Sequence, residues 1–300
     1  GVADAQRVQS VEVAIAEKDR DIGTQQAVRD REVTVAALTR DTVIGHDVWF
    51  AYGAMVLPGA TIDDGPPSLA PCKLLDYEME VGFFVGRGNP LGETLSVDEA
   101  EERLFGVCLV NDWSARDIQA WEYQPLGPFQ AKATATTISP WIVTKAALEP
   151  FRCDTPAREV ELLDHLKDCG PMLYDIDLSV TLAPAGKAAT KITQTNYKEM
   201  YYSSAQQLAH HATSGCPMNA GDLLGSGTIS GPTKSERGSL LELSWGGKEP
   251  LSLDTGESRT FLEDGDTLTL SGHANGDGYK IGFGTCTGTI LAAAKDPFTK

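Results

Sequence analysis

Cations are scarce in this 300-residue chain. Lysine and arginine total 25 against 42 aspartates and glutamates, which leaves a net charge of −17 and a pI near 4.6. A surface of that sign repels phosphate backbones, so nucleic acid is not an expected partner. An anionic substrate would have to be held by a few locally placed cations. Histidine is scarcer still: His46, His165, His210, His211 and His273 are all there are. Long apolar runs are lacking, and nothing approaches the roughly 20 residues of a membrane span. The N-terminus shows no basic region followed by an apolar core, so no secretory signal and a cytoplasmic location are expected. Six cysteines occur (Cys72, Cys108, Cys153, Cys169, Cys216 and Cys286), but no two are spaced as CxxC. Free thiols are therefore expected in place of a disulfide framework, and zinc is disfavoured.

What is present is a globular balance, 41% hydrophobic and 22% charged, in a length that suits one large domain or two smaller ones. Residues 1–40 carry little pattern beyond a strand-like alternation at Val11–Ile15. From 42 to 65 a six-residue rhythm runs through Ile44, Phe50, Val56 and Ile62, with Gly53, Gly59 and Gly65 at the same period. It resembles the hexapeptide repeat of left-handed β-helix acyltransferases. It spans little more than one coil, however, and such a solenoid needs several stacked coils to bury a core. Two short strands with glycine turns are the alternative.

Beyond the break at Gly65-Pro66-Pro67 the pattern is one of strands joined by Gly/Pro turns. Val97 to Leu104 reads as an acidic helix capped by Ser96, with Glu99 completing a capping box. Phe105 to Val110 is an apolar strand ending in Asn111-Asp112, followed by a short helix over Ala115 to Ala120. Asp175 to Leu182 alternates as a strand, and Ser203 to Thr213 reads as a helix stopped by Gly215 and Pro217. Strands outnumber helices, which predicts an α+β domain dominated by β-sheet. The division expected is a divergent segment over 1–66 and a catalytic domain over 67–300.

The most informative stretch is Leu75 to Val85, read as one strand. Leu75, Tyr77, Met79 and Val81 share one face, and Glu78 and Glu80 share the other. The two carboxylates stand about 7 Å apart at the backbone, close enough for both to reach one cation. Like charges facing a small space call for a counterion, and all-oxygen ligands favour Mg²⁺ or Ca²⁺. A solvated acidic edge strand is the competing reading. Asp112, at the mouth of the next apolar strand, is a natural third carboxylate.

Other groups have chemistry to offer. Arg116 and Gln119 are three apart and face one way on a helical turn. An arginine fork suits a carboxylate and a glutamine can donate to an oxyanion, although surface charges at a helix start would look the same. Lys132 lies in a turn-rich apolar stretch, poised either to stabilise negative charge or to reach solvent. Residues 225–232, GSGTISGP, form a small-residue loop that permits close backbone approach to a ligand but lacks a P-loop ending. Glu242 is a single carboxylate in an apolar run read as a strand, placed either to orient a histidine or to face solvent. His210 and His211, on the helix beside Gln206 and Gln207, read as structural.

Longer strings carry more than any of these residues alone. They are CKLLDYEMEVGFFVG (72–86), FGVCLVNDWSARDIQAWEYQPLGPF (105–129), TTISPW (136–141), YDIDLSVTL (174–182), QQLAHH (206–211), GDLLGSGTISGP (221–232), GSLLELSW (238–245) and GDGYKIGFG (276–284). Together, in this order, they resemble the fumarylacetoacetate hydrolase family from about Pro67 to Leu291. They match its C-terminal catalytic domain, and the family's small SH3-like N-terminal domain has no counterpart among them. The resemblance implies a mixed β-sandwich roll, a homodimer and a metal-dependent hydrolase of carbon–carbon bonds. The implied substrate is a dicarboxylic β-diketo acid, fumarylacetoacetate, cleaved to fumarate and acetoacetate in tyrosine and phenylalanine catabolism.

Carried over by motif, the resemblance implies Glu78, Glu80 and Asp112 as ligands of Ca²⁺ or Mg²⁺. Arg116, Gln119 and Lys132 would form the polar cluster at the oxyanion, Tyr123 and Thr228 would meet substrate carboxylates, Thr136 would join Lys132 at a second cation contact, and Glu242 would orient the catalytic histidine. The chain departs from the family upstream. An Asp-Phe-Tyr-Ser-Ser segment ending in the base histidine and a Tyr-His-Gly-Arg segment are not found in residues 1–66. The expected base, a fourth metal carboxylate and a substrate arginine go with them. Ala133-Thr134-Ala135-Thr136 also departs from the family's Ser-Phe-Gly-Thr. A divergent segment with His46 as base, a relative acting on acylpyruvates or oxaloacetate, and a metal-binding homologue without catalysis all remain open.

Overall fold

The computed structural model describes residues 42–44, 70–168 and 170–293. His46, the six-residue rhythm beyond Ile44, the Val11–Ile15 alternation and the boundary at 66/67 lie outside the described residues. The strands that build the domain are β1 (Thr42–Ile44), β2 (Leu75–Asp76) and β3 (Met79–Val85). Helix α1 (Val97–Arg103) leads directly into β4 (Leu104–Asp112) and β5 (Ser114–Ala115), then α2 (Arg116–Leu126). There follow β6 (Thr136–Ile138), β7 (Val143–Thr144), β8 (Asp177–Ala183), β9 (Thr190–Asn196) and α3 (Ser204–Ala212). The chain closes with β10 (Leu223–Gly225), α4 (Leu240–Leu243), β11 (Thr267–Gly276) and β12 (Tyr279–Ile290).

Two five-stranded sheets organise these elements. One runs β1-β12-β11-β8-β9, antiparallel except where β1 joins β12 in parallel. The other runs β10-β3-β4-β6, with β7 also paired to β4. Strand β8 alternates half-buried and buried residues, so one of its faces is covered. Every residue of β3 is buried, so it is covered on both faces. The sheets meet at Leu109 on β4 and Gly272 on β11. A Cβ at position 272 would lie 2.8 Å from a Leu109 methyl, so glycine is what lets the layers approach there. The domain is β-dominated with few helices, as the strand count and the family resemblance led us to expect. No helix among the described residues is long and apolar enough to cross a membrane.

The capping box at Ser96 is as read, and the structure adds a second at Ser203. Ser96 and Glu99 close the start of α1, and Ser203 with Gln206 closes that of α3. Three elements differ from expectation. The stretch Leu75 to Val85 is two strands, broken at Tyr77-Glu78. There the Tyr77 N–H donates to Asp76 Oδ1 and the Glu78 N–H to Asn111 Oδ1, so side chains replace the ladder. Glu242 sits on a one-turn helix and not on a strand. Ser239 caps that turn and Asp76 accepts its first N–H groups, a long-range contact that local periodicity does not carry. The helix expected over Ala115 to Ala120 is longer, reaching Leu126, with Gln124 out of helical conformation.

Leu109 is fully buried where the sheets meet. Leu109→Ala is expected to cost about 2–5 kcal/mol, since the strands on either side cannot collapse into the space. Urea denaturation measures this as a lower midpoint with an unchanged slope.

Candidate metal and active site

The site is built where β3 and β4 run side by side. The Asp112 N–H donates to the Glu78 carbonyl at 3.3 Å, which sets these two residues opposite one another. Glu80 follows on the same face as Glu78, two residues along. One carboxylate oxygen from each of Glu78, Glu80 and Asp112 lies within 4.8 Å of the others. All the donors are anionic oxygens, a set that suits a hard divalent cation such as Mg²⁺ or Ca²⁺.

The three carboxylates are not equivalent. Glu78 is held by two cations: Lys132 Nζ stands 2.5 Å from its Oε2 and Arg116 Nη1 2.8 Å from its Oε1. Burial alone would raise its pKa, but the two cations outweigh that and hold it below the ordinary range. Asp112 shares Lys132, at 3.1 Å, yet burial leaves its pKa raised. Glu80 has neither partner. Burial, then the charges of Asp112 and Glu78, push its carboxyl up to about 8. Its hydrogen bond from protein is the Gly227 N–H, at 3.1 Å. The small-residue loop serves this carboxylate directly. A Cβ on Gly225 would lie 2.6 Å from Glu80 Oε2, and Gly227 has a φ of 79°. A buried carboxylate with, among the described residues, one weak donor and two like charges beside it is what a bound cation would relieve.

Arg116 opens α2 and is buried with its fork already engaged. Nε donates to Asp76 Oδ2 at 2.9 Å, and Nη1 donates to both Glu78 Oε1 and Gln119 Oε1. Asp76 was not among the residues singled out from the sequence, and it is the most connected of all. It is completely buried, and its oxygens accept from Arg116, the Tyr77 N–H and the N–H groups of Leu240 and Leu241. Complete burial raises its carboxyl, and Arg116 with the backbone donors opposes that. Every partner is a donor, the arrangement of an ionised carboxylate. Its signal was in the sequence: Asp76, Glu78 and Glu80 alternate at the period of a strand.

The remaining expected residues divide. Lys132 joins the carboxylates and also donates to Ser114 Oγ at 2.7 Å. Thr136 is cross-strand from Asp112. Tyr123 lies one turn beyond Gln119 on α2, 51% exposed. Thr228 is half-buried in the loop just past Gly227. Glu242 is joined to this cluster through Asp76, which caps its helix. Among the described residues its carboxylate accepts from the hydroxyls of Ser230 and Ser239. His210 is on the exposed side of α3, its Nδ1 3.2 Å from His165 Nε2. His46, the replacement base considered above, is outside the described residues.

Two outcomes follow from this geometry. Asp76→Asn replaces an acceptor by an N–H₂ group facing donors and leaves Arg116 short of a partner. A loss of about 3–5 kcal/mol is expected, read by chemical denaturation. The second concerns pH. The Glu80 carboxyl binds its proton more tightly in the folded chain than at its ordinary value of 4.5. In chelator, stability is therefore expected to be greatest below about pH 4.5 from this group and to fall as pH rises towards 8. Added Mg²⁺ or Ca²⁺ should stabilise increasingly over the same window, and Glu80→Gln should flatten the chelator curve. Thermal unfolding across pH 5 to 8 measures all three.

Known proteins resemble this chain in sequence. The family model described as fumarylacetoacetate (FAA) hydrolase C-terminal matches residues 23–291. The chain is 51% identical over 244 residues to fumarylacetoacetase of Dictyostelium discoideum, covering 79% of this chain and 57% of that protein. It is 53% identical over 226 residues to the Arabidopsis thaliana enzyme, covering 75% and 53%. Against that of Homo sapiens it is 50% identical over 232 residues, covering 77% and 55%. The chain thus spans little more than half the length of the curated relatives it matches. With a family match over most of its length and about half of the aligned residues identical in these relatives, the chain belongs to the fumarylacetoacetate hydrolase family, through that family's C-terminal region.

Proposed function

We propose that this chain hydrolyses a carbon–carbon bond in a dicarboxylic β-diketo acid, 4-fumarylacetoacetate, releasing fumarate and acetoacetate in tyrosine and phenylalanine catabolism. The observation that supports it most is the convergence of Glu78, Glu80 and Asp112 beside Lys132, in a chain 51% identical over 244 residues to a fumarylacetoacetase. In the reaction a water oxygen bonds to the acyl carbonyl carbon. The bond to the neighbouring methylene then breaks, its electron pair leaves as an enolate, and a proton completes acetoacetate.

Glu78, Glu80 and Asp112 would hold Mg²⁺ or Ca²⁺. Bound there, the ion supplies Lewis-acid polarisation of the diketone oxygens. The residues of the chain do the rest. Lys132 presents an ammonium to negative charge as it develops, a contribution typically worth about 3 kcal/mol. Gln119 gives its amide oxygen to Arg116, which leaves its N–H groups as donors. Arg116, with its fork on Asp76 and Glu78, acts by aiming Glu78. Tyr123 and Thr228 meet the substrate carboxylates, and Thr136 adds a contact near Lys132. Glu242 orients a base that the described residues do not include.

Five free thiols among the described residues suit a reducing compartment, and we place the chain in the cytoplasm. Phe105, Trp141 and Ile142 are exposed around the junction of β4 and β7, an apolar patch that suits a homodimer.

Turnover of fumarylacetoacetate is expected to need Mg²⁺ or Ca²⁺, to stop in chelator and to return with either ion. Glu80→Ala should lower kcat by at least ~100-fold. If that variant kept both metal binding and turnover, the reading would be wrong. Acylpyruvate and oxaloacetate assayed alongside decide the substrate, because faster turnover of either reassigns it. Metal binding with no turnover of any of the three would make the chain a non-catalytic homologue.

A further inference from the structure

Lys132 reaches the carboxylates from the end of a one-turn 3₁₀ helix, Gln130–Lys132, whose first residues have no capping side chain in their own segment. A turn that short cannot hold its own start, because its leading N–H groups have no partner within it. Here they have one from elsewhere. Glu122, on α2, accepts the Phe129 N–H at 2.6 Å and the Ala131 N–H at 2.8 Å on Oε1, and the Gln130 N–H at 3.0 Å on Oε2. Three donors converge on one carboxylate, which also lies at the favourable end of the turn for a negative charge. The last of them belongs to the residue just before Lys132. Glu122 is held in turn by α2, the helix that Arg116 ties to Asp76 and Glu78.

We propose that Glu122 is a positioning residue for Lys132. Its carboxylate sets the place of the turn, and so of the ammonium that stands between Glu78 and Asp112. This rests on the function proposed above for its catalytic consequence, but not for its effect on metal binding. With the clamp gone, the turn loses the hydrogen bonds that fix its start and Lys132 is free to withdraw. Two carboxylates then lose a neighbouring positive charge, and a divalent cation meets less repulsion.

The test is a double-mutant cycle of Glu122→Ala with Lys132→Met in the full chain, read by Mg²⁺ titration calorimetry and by turnover of fumarylacetoacetate. Glu122→Ala is expected to tighten Mg²⁺ several-fold and to lower kcat by roughly tenfold or more, with KM little changed. In the Lys132→Met background it should change neither. Glu122→Asp, one methylene shorter with its charge kept, should recover part of both. If Glu122→Ala acts equally in the two backgrounds, or lowers only the melting temperature, the residue is structural and the proposal fails. Should the alanine variant not fold, Glu122→Gln takes its place. It retains one acceptor oxygen and sets an N–H₂ group against the Gln130 N–H, and the same cycle applies. A chain that turned over no substrate would sink the function proposed above, and the Mg²⁺ cycle would still decide this one.

Discussion

The buried carboxylate of Asp76 is the constraint on which the site depends. It joins three segments that lie far apart in sequence: its own strand with Tyr77, Arg116 at the start of α2, and the first turn of α4. An ion excluded from water is costly unless every lone pair finds a donor, and here each does. That requirement makes the arrangement rigid. Arg116 cannot move without leaving Asp76 unpaired, and Arg116 holds Glu78. The helix that carries Glu242 cannot shift without uncapping its own N–H groups. One ionised side chain thus keeps the carboxylate cluster and Glu242 in register.

Around that fixed point the charges are deliberately unequal. Glu78 is neutralised from two sides, by Lys132 and Arg116, while Glu80 faces its neighbours with a single backbone donor. The protein thereby stores an unmet electrostatic demand at one carboxylate. A proton or a divalent cation would satisfy it, and competition between them would couple stability, pH and metal binding. The glycines at 225 and 227 are part of the same device, since any side chain at 225 would displace the Glu80 carboxylate.

Much of this was legible along the chain. The alternation of Glu78 and Glu80, the capping box at Ser96, and the apolar strand leading to Asp112 are local patterns whose physical cause lies within a few residues. The break at Tyr77-Glu78 was not legible. It arises because the side chains of Asp76 and Asn111 take up backbone groups, and Asn111 comes from another strand. Glu242 was misread for the same kind of reason: a short apolar run has no period of its own to tell strand from helix, and its turn is capped from residue 76. Asp76 shares the alternation of Glu78 and Glu80 and was passed over, because its donors, Arg116 and the first turn of α4, come from distant parts of the chain.

The sequence by itself determined the family, the β-dominated architecture and the three carboxylates, because strings of residues in fixed order and the period of a strand are properties of the chain alone. Tertiary structure decided the roles. Arg116 read as a fork suited to a carboxylate and as part of an oxyanion cluster, and folding gives that fork to the protein's own Asp76 and Glu78. Lys132 read as a choice between solvent and the site, and folding sets it between Glu78 and Asp112. Those outcomes turn on which charges are excluded from water together, and burial of that kind is decided only when distant segments pack.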